Sequence, residues 1–375
     1  MDQLKYWVSL HKISLLGTVR FRRLEAYFGD LASAWTAGPS DLRAAGMEGR
    51  VAAEIAAARS RIDPDGELER LARAGVQAAT WHDGEYPPRL KEISDPPPVL
   101  YYKGEVLPSD ERSMAVVGTR SPTTYGREAA AYLSGDLARQ GVTIVSGLAL
   151  GIDGIAHRTA LDSGGRTIAV VANGLDMVYP KEHTALSHRI PEQGAVVSES
   201  PLGVRPDPRG FPRRNRLISG ISLGTLVVEA GEASGARWTV YHALEQDREV
   251  FCVPGSVFSP ASRLTNRLIQ EGAKLVTNCN DILEELNLSV VARQIEMRLV
   301  EGPASAPGPF HDHQSALLGL LDQEPVHIDD IRRQASLPMS EVSGLLTMLE
   351  LRGLVKQVGC MHYVRVREVN PVYGN

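Results

Sequence analysis

The sequence predicts an α/β protein, with a doubly wound and mostly parallel sheet between a small all-α N-terminal domain and a C-terminal winged-helix domain. Three observations support this fold class. From residue 114 onward, short apolar runs alternate with helical stretches of about 10–15 residues. Before residue 80 apolar residues recur at helical spacing, and after residue 310 three helix-like stretches precede two strand-like ones. Alternating strands and helices are typical of a parallel sheet that helices cover on both faces.

Length and composition bound the organisation of the protein. The 375 residues are enough for two or three domains, and 43% hydrophobic with 23% charged residues is ordinary for a folded soluble protein. We place the helical domain at 1–80, the sheet domain at 81–290, a linker at 291–310 and the winged helix at 311–375. No apolar run approaches the ~20 residues of a membrane span, and no secretory signal pattern follows Met1. We therefore expect a cytoplasmic protein that does not contact a membrane.

The N-terminal domain is predicted to contain four or five short helices. Apolar residues recur at helical spacing from Leu4 to about Arg73, and glycines interrupt them. The segments around Gly17 and from Leu42 to Gly46 resemble helix-hairpin-helix and sterile-alpha-motif modules, which bind DNA backbones or other proteins. At this stage DNA contact, protein contact and a purely structural role all stay open for this domain.

A proline-rich connector leads into the sheet domain. Three consecutive prolines, Pro96 to Pro98, impose an extended path, and the apolar residues after them predict an edge strand that ends near Gly104. The alternative interpretation is a proline-rich ligand for an adaptor protein.

The sheet domain is predicted to contain seven strands, and ligands of such sheets bind beyond the carboxyl ends of the strands. Gly118, Thr119 and Arg120 follow the first strand, while Ser146 and Gly147 end the second. Glycines let backbone amides approach a ligand, hydroxyls donate hydrogen bonds and Arg120 supplies charge, so phosphate is the expected ligand. The alternative is that the glycines only form tight turns. The strands are expected at 114–117, 143–145, 167–171, 196–198, 225–228, 250–253 and 274–276.

Motifs of several enzyme classes are missing from the sequence. No G-x-G-x-x-G follows the first strand, no P-loop motif is present, and Ser146 does not lie in a nucleophile elbow. Asp153 and His157, four residues apart, suit either an acid/base or metal pair or, as we prefer, an Asp153 helix N-cap. No histidine or cysteine is spaced to complete a zinc site. We therefore predict a protein with no catalytic residues, no cofactor and no metal.

An arginine-rich segment lies between the fourth and fifth predicted strands. Although the net charge of the chain is −5, five arginines and one acid lie between Pro201 and Gly220. Arg213 and Arg216 are three residues apart at a predicted helix start and share a face there, beside the ring of Phe211. Arginines beside an aromatic ring are typical of sites for single-stranded nucleic acid. The alternative is a solvated or ion-paired charge cluster.

Several motifs occur in one order along the sheet domain. They are Val117-Gly118-Thr119-Arg120, Ser146-Gly147-Leu148-Ala149, Tyr179-Pro180-Lys181-Glu182-His183, Phe211-Pro212-Arg213-Arg214-Asn215-Arg216, Val228-Glu229-Ala230 and Val253-Pro254-Gly255. Together they closely resemble the DNA-processing protein A family, also called Smf. The resemblance implies a Rossmann-like domain that forms homodimers, binds and protects incoming or exposed single-stranded DNA, and loads a RecA-type recombinase without a catalytic reaction. Natural transformation and recombination are the implied settings, and a single-strand-binding protein is a further expected partner.

The resemblance also assigns roles by position. It implies that Arg120 contacts a phosphate, that Phe211 contacts a base, and that Lys181 lies near the path of the strand. The residues expected to bind DNA are Gly118, Thr119, Arg120, Ser146, Gly147, Lys181, Arg209, Phe211, Arg213, Arg214, Asn215 and Arg216.

A second resemblance supplies the alternative function. The sheet is similar to Rossmann-like phosphoribohydrolases, which cleave nucleoside monophosphates and carry a Pro-Gly-Gly-x-Gly-Thr run. Here the corresponding residues 229–235 depart from that run. A nucleotide hydrolase or nucleotide sensor is therefore the alternative to a DNA-binding protein.

The C-terminal region is predicted to be a winged helix after a proline-rich linker. Helices are expected at 313–321, 328–335 and 340–351, with Ser340 as the cap of the third, and wing strands at 355–358 and 363–366. Residues 311–366 carry seven acids and five bases, a net charge of −2, and the third helix has no base before Arg352. A duplex reader needs basic side chains on that helix, so we predict protein interaction or dimer support rather than duplex binding.

Overall fold

The computed structural model describes residues 3–288, 317–321, 326–335, 337–351, 354–358 and 361–365. These residues belong to two compact units, Met1–Ser289 and Val290–Asn375. The described part of the first unit contains a nine-stranded sheet, and that of the second contains a three-stranded sheet. The α/β fold class predicted from the sequence is confirmed.

Six helices precede the sheet of the first unit. They are α1 (Leu4–His11), α2 (Thr18–Phe28), α3 (Leu31–Thr36), α4 (Pro39–Ala44), α5 (Gly49–Ala58) and α6 (Pro64–Arg73). Their apolar faces bury Trp7, Phe21 and Ile55 in a hydrophobic cluster that also includes Tyr101 of the sheet. The predicted helical pattern is confirmed. Because these helices lie in the same compact unit as the sheet, the separate domain 1–80 stays a prediction.

The nine strands lie in the order β1-β2-β6-β5-β4-β3-β7-β8-β9. They are β1 (Gln77–Thr80), β2 (Val99–Gly104), β3 (Ser113–Val117), β4 (Thr143–Ser146), β5 (Thr167–Val171), β6 (Gly194–Ser198), β7 (Gly224–Val227), β8 (Glu249–Cys252) and β9 (Lys274–Leu275). Strands β3 to β9 run parallel to one another, whereas β1 and β2 are antiparallel to their neighbours. All seven strands predicted after residue 113 are present, with ends that differ by at most two residues.

The position predicted for β2 is wrong. It lies inside the sheet, between β1 and β6, because the short segment Gln77–Thr80 pairs with it and occupies the edge instead. Two of the four residues of β1 are alanines, which have low strand propensity. Its strand conformation depends on backbone pairing with β2, which sequence reasoning did not anticipate.

Helices cover both faces of the sheet because the side chains of a strand alternate between faces. Met114 and Val116 of β3 belong to one hydrophobic cluster, and Ala115 and Val117 belong to another. The helices of this part are α7 (Pro88–Glu92), α8 (Thr124–Arg139), α9 (Ile152–Asp162), α10 (Thr184–Arg189), α11 (Gly210–Ile221), α12 (Ala236–Glu245), α13 (Arg263–Gln270) and α14 (Cys279–Glu285). The clusters place α8 and α9 on one face and α11 and α12 on the other.

The strand order reverses at β3. Strands β4, β5 and β6 follow one another on one side of β3, and β7 and β8 follow on the other. In doubly wound sheets a crevice opens beyond the carboxyl ends of the strands at such a reversal, and ligands bind there. The first unit is therefore a Rossmann-like arrangement with a crevice expected beyond β3 and β7.

The second unit has the winged-helix arrangement predicted for it. Its described helices and strands are β10 (Val326–His327), α15 (Ile328–Ala335), α16 (Met339–Leu351), β11 (Val355–Gln357) and β12 (His362–Arg365). The sheet order is β10-β12-β11, and Ile331, Val342 and Leu346 fill the core between helices and sheet. Strand β10, only two residues long, was missed. The predicted linker 291–310, the start of the helix at 313 and the Ser340 side chain lie outside the described residues.

Among the described residues, no helix combines the length and the hydropathy that a bilayer crossing requires.

Candidate nucleic-acid interface

An open groove of about 610 Å³ lies beyond the carboxyl ends of β3 and β7. Its walls come from the loop after β3, the first turns of α11 and the segment that leads into α12. Half of the predicted site residues line this one groove: Gly118, Thr119, Arg120, Phe211, Arg214 and Asn215. The topology brings them together, since the loop after β3 and helix α11 are far apart in the sequence.

Two arginines and one tyrosine lie close to the ring of Phe211 in the groove. The guanidinium carbon of Arg120 lies 5.6 Å from the ring centre, and that of Arg214 lies 6.0 Å from it. The ring of Tyr179 stacks against Phe211 at 5.7 Å with an interplanar angle of 30°. These contacts leave Phe211 half-buried. Tyr179, which is 43% exposed, was missed as a groove residue, although it stands in the motif that supplied Lys181.

The loop that carries Arg120 is fixed by backbone hydrogen bonds. The Thr119 N–H donates to the Glu229 carbonyl at 2.7 Å, and the Ile152 N–H donates to the Thr119 carbonyl at 3.2 Å. The Arg120 side chain is exposed. The structure therefore presents one guanidinium to solvent from a loop whose backbone position is set by α9 and β7.

Arg214 lies at the buried wall of the groove. Its Nη1 donates to the Gly147 carbonyl at 2.7 Å and to the Val170 carbonyl. A Cβ at Gly147 would stand 2.7 Å from the guanidinium, so glycine is needed there to admit Arg214. Burial lowers the pKa of Arg214 to about 10, and the charge of Arg120 contributes to this lowering while that of Asp153 opposes it. At neutral pH Arg214 therefore adds fixed positive charge to the groove.

Ser146 does not supply the predicted hydroxyl to a ligand. Its side chain is fully buried, and Oγ donates to the Val116 carbonyl at 2.6 Å, since the strand end points into the sheet. The Gly147 N–H donates to the Asp153 carboxylate at 3.1 Å. The structure thus contradicts a direct contact between Ser146 and a ligand. The N–H and the carbonyl of Gly147 both bond within the chain, to Asp153 and Arg214.

The prediction of Asp153 as a helix N-cap is wrong as well. Gly151 is the N-cap of α9, and the Asp153 carboxylate accepts the N–H groups of Gly147 and Ala149 in the preceding loop. Burial raises the pKa of Asp153, while Arg214 and these hydrogen bonds oppose the rise. His157 forms no hydrogen bond with Asp153, because its Nδ1 is hydrogen-bonded to the Thr167 hydroxyl at 2.7 Å and its Nε2 has no hydrogen-bond partner. No acid/base pair forms between the two.

Arg216 is part of the scaffold. Its Nη1 and Nη2 donate to the two carboxylate oxygens of Glu199 at 3.0 and 2.7 Å, and its Nε donates to the Asp95 carbonyl at 3.1 Å. The side chains of Arg216 and Glu199 are 8% and 11% exposed. Burial alone would lower the pKa of Arg216, but the carboxylate raises it. The predicted direct contact between Arg216 and DNA is contradicted, because the guanidinium faces inward to Glu199.

The remaining predicted residues lie around the groove without lining it. Lys181, Arg209 and Arg213 are exposed. Arg213 does share a helix face with Arg216, since its Nε lies 3.6 Å from a Glu199 oxygen, but 66% of its side chain faces solvent. A DNA contact by these three residues stays a prediction.

Sequence comparison identifies the family to which this architecture belongs. Residues 77–287, more than half of the chain, match the family model described as DNA recombination-mediator protein A, and residues 301–359 match that of the DprA winged helix domain. The chain belongs to the DNA recombination-mediator protein A family.

Relatives of this DNA recombination-mediator protein A chain occur in several bacteria. The chain is 34% identical to Protein Smf of Synechocystis over 390 aligned positions, which cover 96% of this chain and 98% of the relative. It is 45% identical to the DNA processing protein DprA of Bacillus subtilis over 56% of this chain and 72% of the relative. The family matches therefore include residues of both the sheet and the winged helix.

Two solved structures of family members resemble the chain. DNA processing protein A from Streptococcus pneumoniae superposes with a TM-score of 0.67 at 35% identity and covers 75% of this chain and 97% of its own. The Helicobacter pylori protein has a TM-score of 0.52 at 29% identity and covers 58% of this chain and 98% of its own. The structure of the Helicobacter pylori protein is described in terms of a single-stranded DNA binding mode.

The carboxylate of Glu229, at the start of the stretch 229–235, forms hydrogen bonds within the chain. Glu229 is 2% exposed, and its carboxylate accepts the Thr123 N–H at 2.8 Å and the Thr123 hydroxyl at 2.6 Å. Thr123 is the N-cap of α8. Among the described residues no three metal-ligating side chains cluster. Glu229 thus fixes the start of α8.

We expect Gly151→Ala to destabilise the first unit more than Gly164→Ala. Both glycines have positive φ, 81° and 75°, where a side chain costs about 1–3 kcal/mol. A Cβ at Gly151 would also stand 2.3 Å from the Thr119 carbonyl oxygen, whereas at Gly164 nothing lies within 4 Å. Urea unfolding of the two variants measures the difference. Equal stabilities would contradict a close fit between α9 and the Arg120 loop.

Proposed function

We propose that this chain binds single-stranded DNA in the groove and thereby protects incoming or exposed strands. The observation that carries the proposal is the contact between Arg120 and Phe211, a solvent-exposed guanidinium 5.6 Å from a half-buried ring in an open groove. A guanidinium binds a phosphate by charge-assisted hydrogen bonds, and an aromatic ring stacks on a base. One nucleotide presents both groups, so Arg120 and Phe211 suit the backbone and the base of one strand.

The geometry favours an unpaired strand over a duplex. Phe211 lines the groove, and Tyr179 stacks on it. Only an unpaired and unstacked base can present its face to a half-buried ring. The positive charge is local, since Arg120 and Arg214 flank the ring while the whole chain carries −5. Local charge of this kind supports binding along one path and not a general coating of nucleic acid.

A competition gel shift tests the proposal. We expect a labelled single strand to be displaced by unlabelled single-stranded DNA, and much less well by the same sequence as a duplex or by mononucleotides. A mononucleotide that competes as well as the strand would support the nucleotide hydrolase or sensor instead. Equal competition by the duplex would contradict recognition of unpaired bases.

We further propose that the DNA-bound protein loads a RecA-type recombinase, as a cytoplasmic homodimer and without catalytic turnover. The family description as a recombination mediator supports this proposal. We propose that the winged-helix unit supports protein interaction or the dimer in this assembly. A single-strand-binding protein is the further partner that we propose. RecA filament formation on strands coated by single-strand-binding protein should be faster when the chain is present, and an unchanged rate would contradict the mediator function.

We expect Arg120→Ala to weaken binding and to reduce its dependence on salt. Each phosphate contact to a single strand contributes about 0.7 to the slope of log K against log salt concentration, so the slope should fall by about 0.7. The matched control is Arg139→Ala, because Arg139 is 57% exposed on α8 and does not line the groove. Fluorescence anisotropy at several salt concentrations measures both slopes. Identical slopes for wild type and Arg120→Ala would contradict a phosphate contact by Arg120.

A further inference from the structure

The lining of the groove includes a further aromatic residue that has no part in the proposed function. Trp238, in the first turn of α12, lines the same groove as Arg120 and Phe211 and is 39% exposed. The chain has four tryptophans; Trp7 and Trp35 are buried, and Trp81 is partly buried. Trp238 is thus the most exposed of the four tryptophans.

The neighbours of Trp238 give the indole a defined orientation and a positive environment. The guanidinium carbon of Arg237 lies 5.2 Å from the ring centre. The ring of Tyr241 meets the indole edge-on at 6.3 Å with an interplanar angle of 81°. The cation beside this aromatic ring repeats the arrangement of Arg120 and Phe211 in the same groove. This charge favours a polyanion as the occupant.

A direct contact joins the two helices that carry Phe211 and Trp238. Asn215 lies one helical turn after Phe211 on α11, and its side-chain amide donates to the Gly235 carbonyl at 3.4 Å. Gly235 is the N-cap of α12, three residues before Trp238. This hydrogen bond ties α11, which carries Phe211, to the start of α12, which carries Trp238.

We propose that Trp238 is a second base-stacking residue, so that the groove binds at least two bases of one strand, one at Phe211 and one at Trp238. This inference rests on the proposed function. The competing occupant is a protein partner that packs on Trp238 and on the exposed Tyr241 and Leu244 of the same helix. The groove favours DNA, because Trp238 shares it with Arg120 whereas Tyr241 and Leu244 do not line it.

The test compares an oligothymidine of about 12 nucleotides with one of about 3 nucleotides. Single-strand binding sites cover about 4–16 nucleotides, so the first length lies within that range and the second lies below it. Trp238→Ala should weaken binding of the longer strand by about 5- to 150-fold, from the loss of one stacked base, and weaken binding of the shorter strand by a smaller factor. Trp238→Phe should retain most of the affinity. The control is Tyr132→Ala, because Tyr132 is 51% exposed on α8 outside the groove.

Tryptophan fluorescence provides a second readout that does not depend on the alanine variant. The longer strand should quench the fluorescence of the wild-type protein, and the quenching should disappear in Trp238→Phe, whose remaining tryptophans are buried or partly buried. Unchanged affinity of Trp238→Ala for the longer strand, or equal quenching in Trp238→Phe, overturns the inference and assigns Trp238 to a protein contact. Wild-type protein that binds neither strand would overturn the proposed function itself, which separates the two failures.

Discussion

Replacing Arg216 by alanine should lower the free energy of unfolding by about 3–5 kcal/mol. The substitution removes both hydrogen bonds to Glu199 and leaves that carboxylate, 11% exposed, without its bidentate partner. An unpaired buried charge costs far more than an exposed one, since water cannot replace the lost partner. Urea unfolding, followed by the fluorescence of the buried Trp7 and Trp35 in the same unit, measures the loss.

The control for this prediction is Arg213→Ala. Arg213 lies three residues before Arg216 in α11, and its Nε is 3.6 Å from an oxygen of the same Glu199 carboxylate. Its side chain, however, is 66% exposed to solvent. An exposed ion pair of this kind contributes at most about 1 kcal/mol. If the two variants unfold at the same urea concentration, Arg216 is not part of the scaffold, and the original assignment of its guanidinium to DNA would stand again.

The second large effect is expected at Phe211. Phe211→Ala should weaken single-strand binding by about 1–3 kcal/mol, the usual value of one stacked base. The substitution also removes the ring on which Arg120, Arg214 and Tyr179 pack, so these side chains lose their common contact. Since the ring has no charge, the salt dependence of binding should stay near that of the wild type, in contrast to Arg120→Ala. Fluorescence anisotropy at fixed and varied salt measures both quantities.

Phe211→Tyr is the matched control, because it keeps an aromatic ring of the same size and should keep most of the affinity. A tyrosine variant as weak as the alanine variant would mean that packing around position 211 matters and stacking does not. Full affinity in Phe211→Ala would place the bases of the strand elsewhere.

The sequence was sufficient for the long strands and for the general location of the site. Strands such as Thr167–Val171 are continuous apolar runs, because both faces of a parallel sheet are buried, and such runs are visible without a structure. The short strands β1 and β10 have no such pattern. They are strands because their backbones pair with β2 and β12. Each partner lies far along the sequence, so the pairing depends on the tertiary fold.

The sequence alone does not predict which arginine side chains are buried and which are exposed. Arg213 and Arg216 share a helix face, as predicted, yet one side chain is exposed and the other is buried, because only Arg216 is inside the bidentate reach of Glu199. In the same way Arg214 is buried only because Gly147 leaves room for its guanidinium. Charge composition therefore indicates where arginines cluster, whereas the carboxylates and glycines of distant elements decide which arginine is exposed.

The rings were only partly predictable for a related reason. Phe211 stands among arginines in the sequence, so its role could be inferred, whereas Tyr179 and Trp238 reach the groove from separate segments. Nothing local distinguishes them from core aromatics, and only the tertiary structure shows their open faces.

Photo-crosslinking tests the central claim most directly. Single-stranded DNA that carries 5-iododeoxyuridine reacts on irradiation with aromatic side chains that contact the base, and mass spectrometry of the digested complex identifies them. The groove account predicts adducts at Phe211 and Tyr179, with loss of most crosslinking in Arg120→Ala at moderate salt. Adducts confined to aromatic residues outside the groove, such as Tyr27 or Tyr132, with yields unaffected by Arg120→Ala, would contradict it.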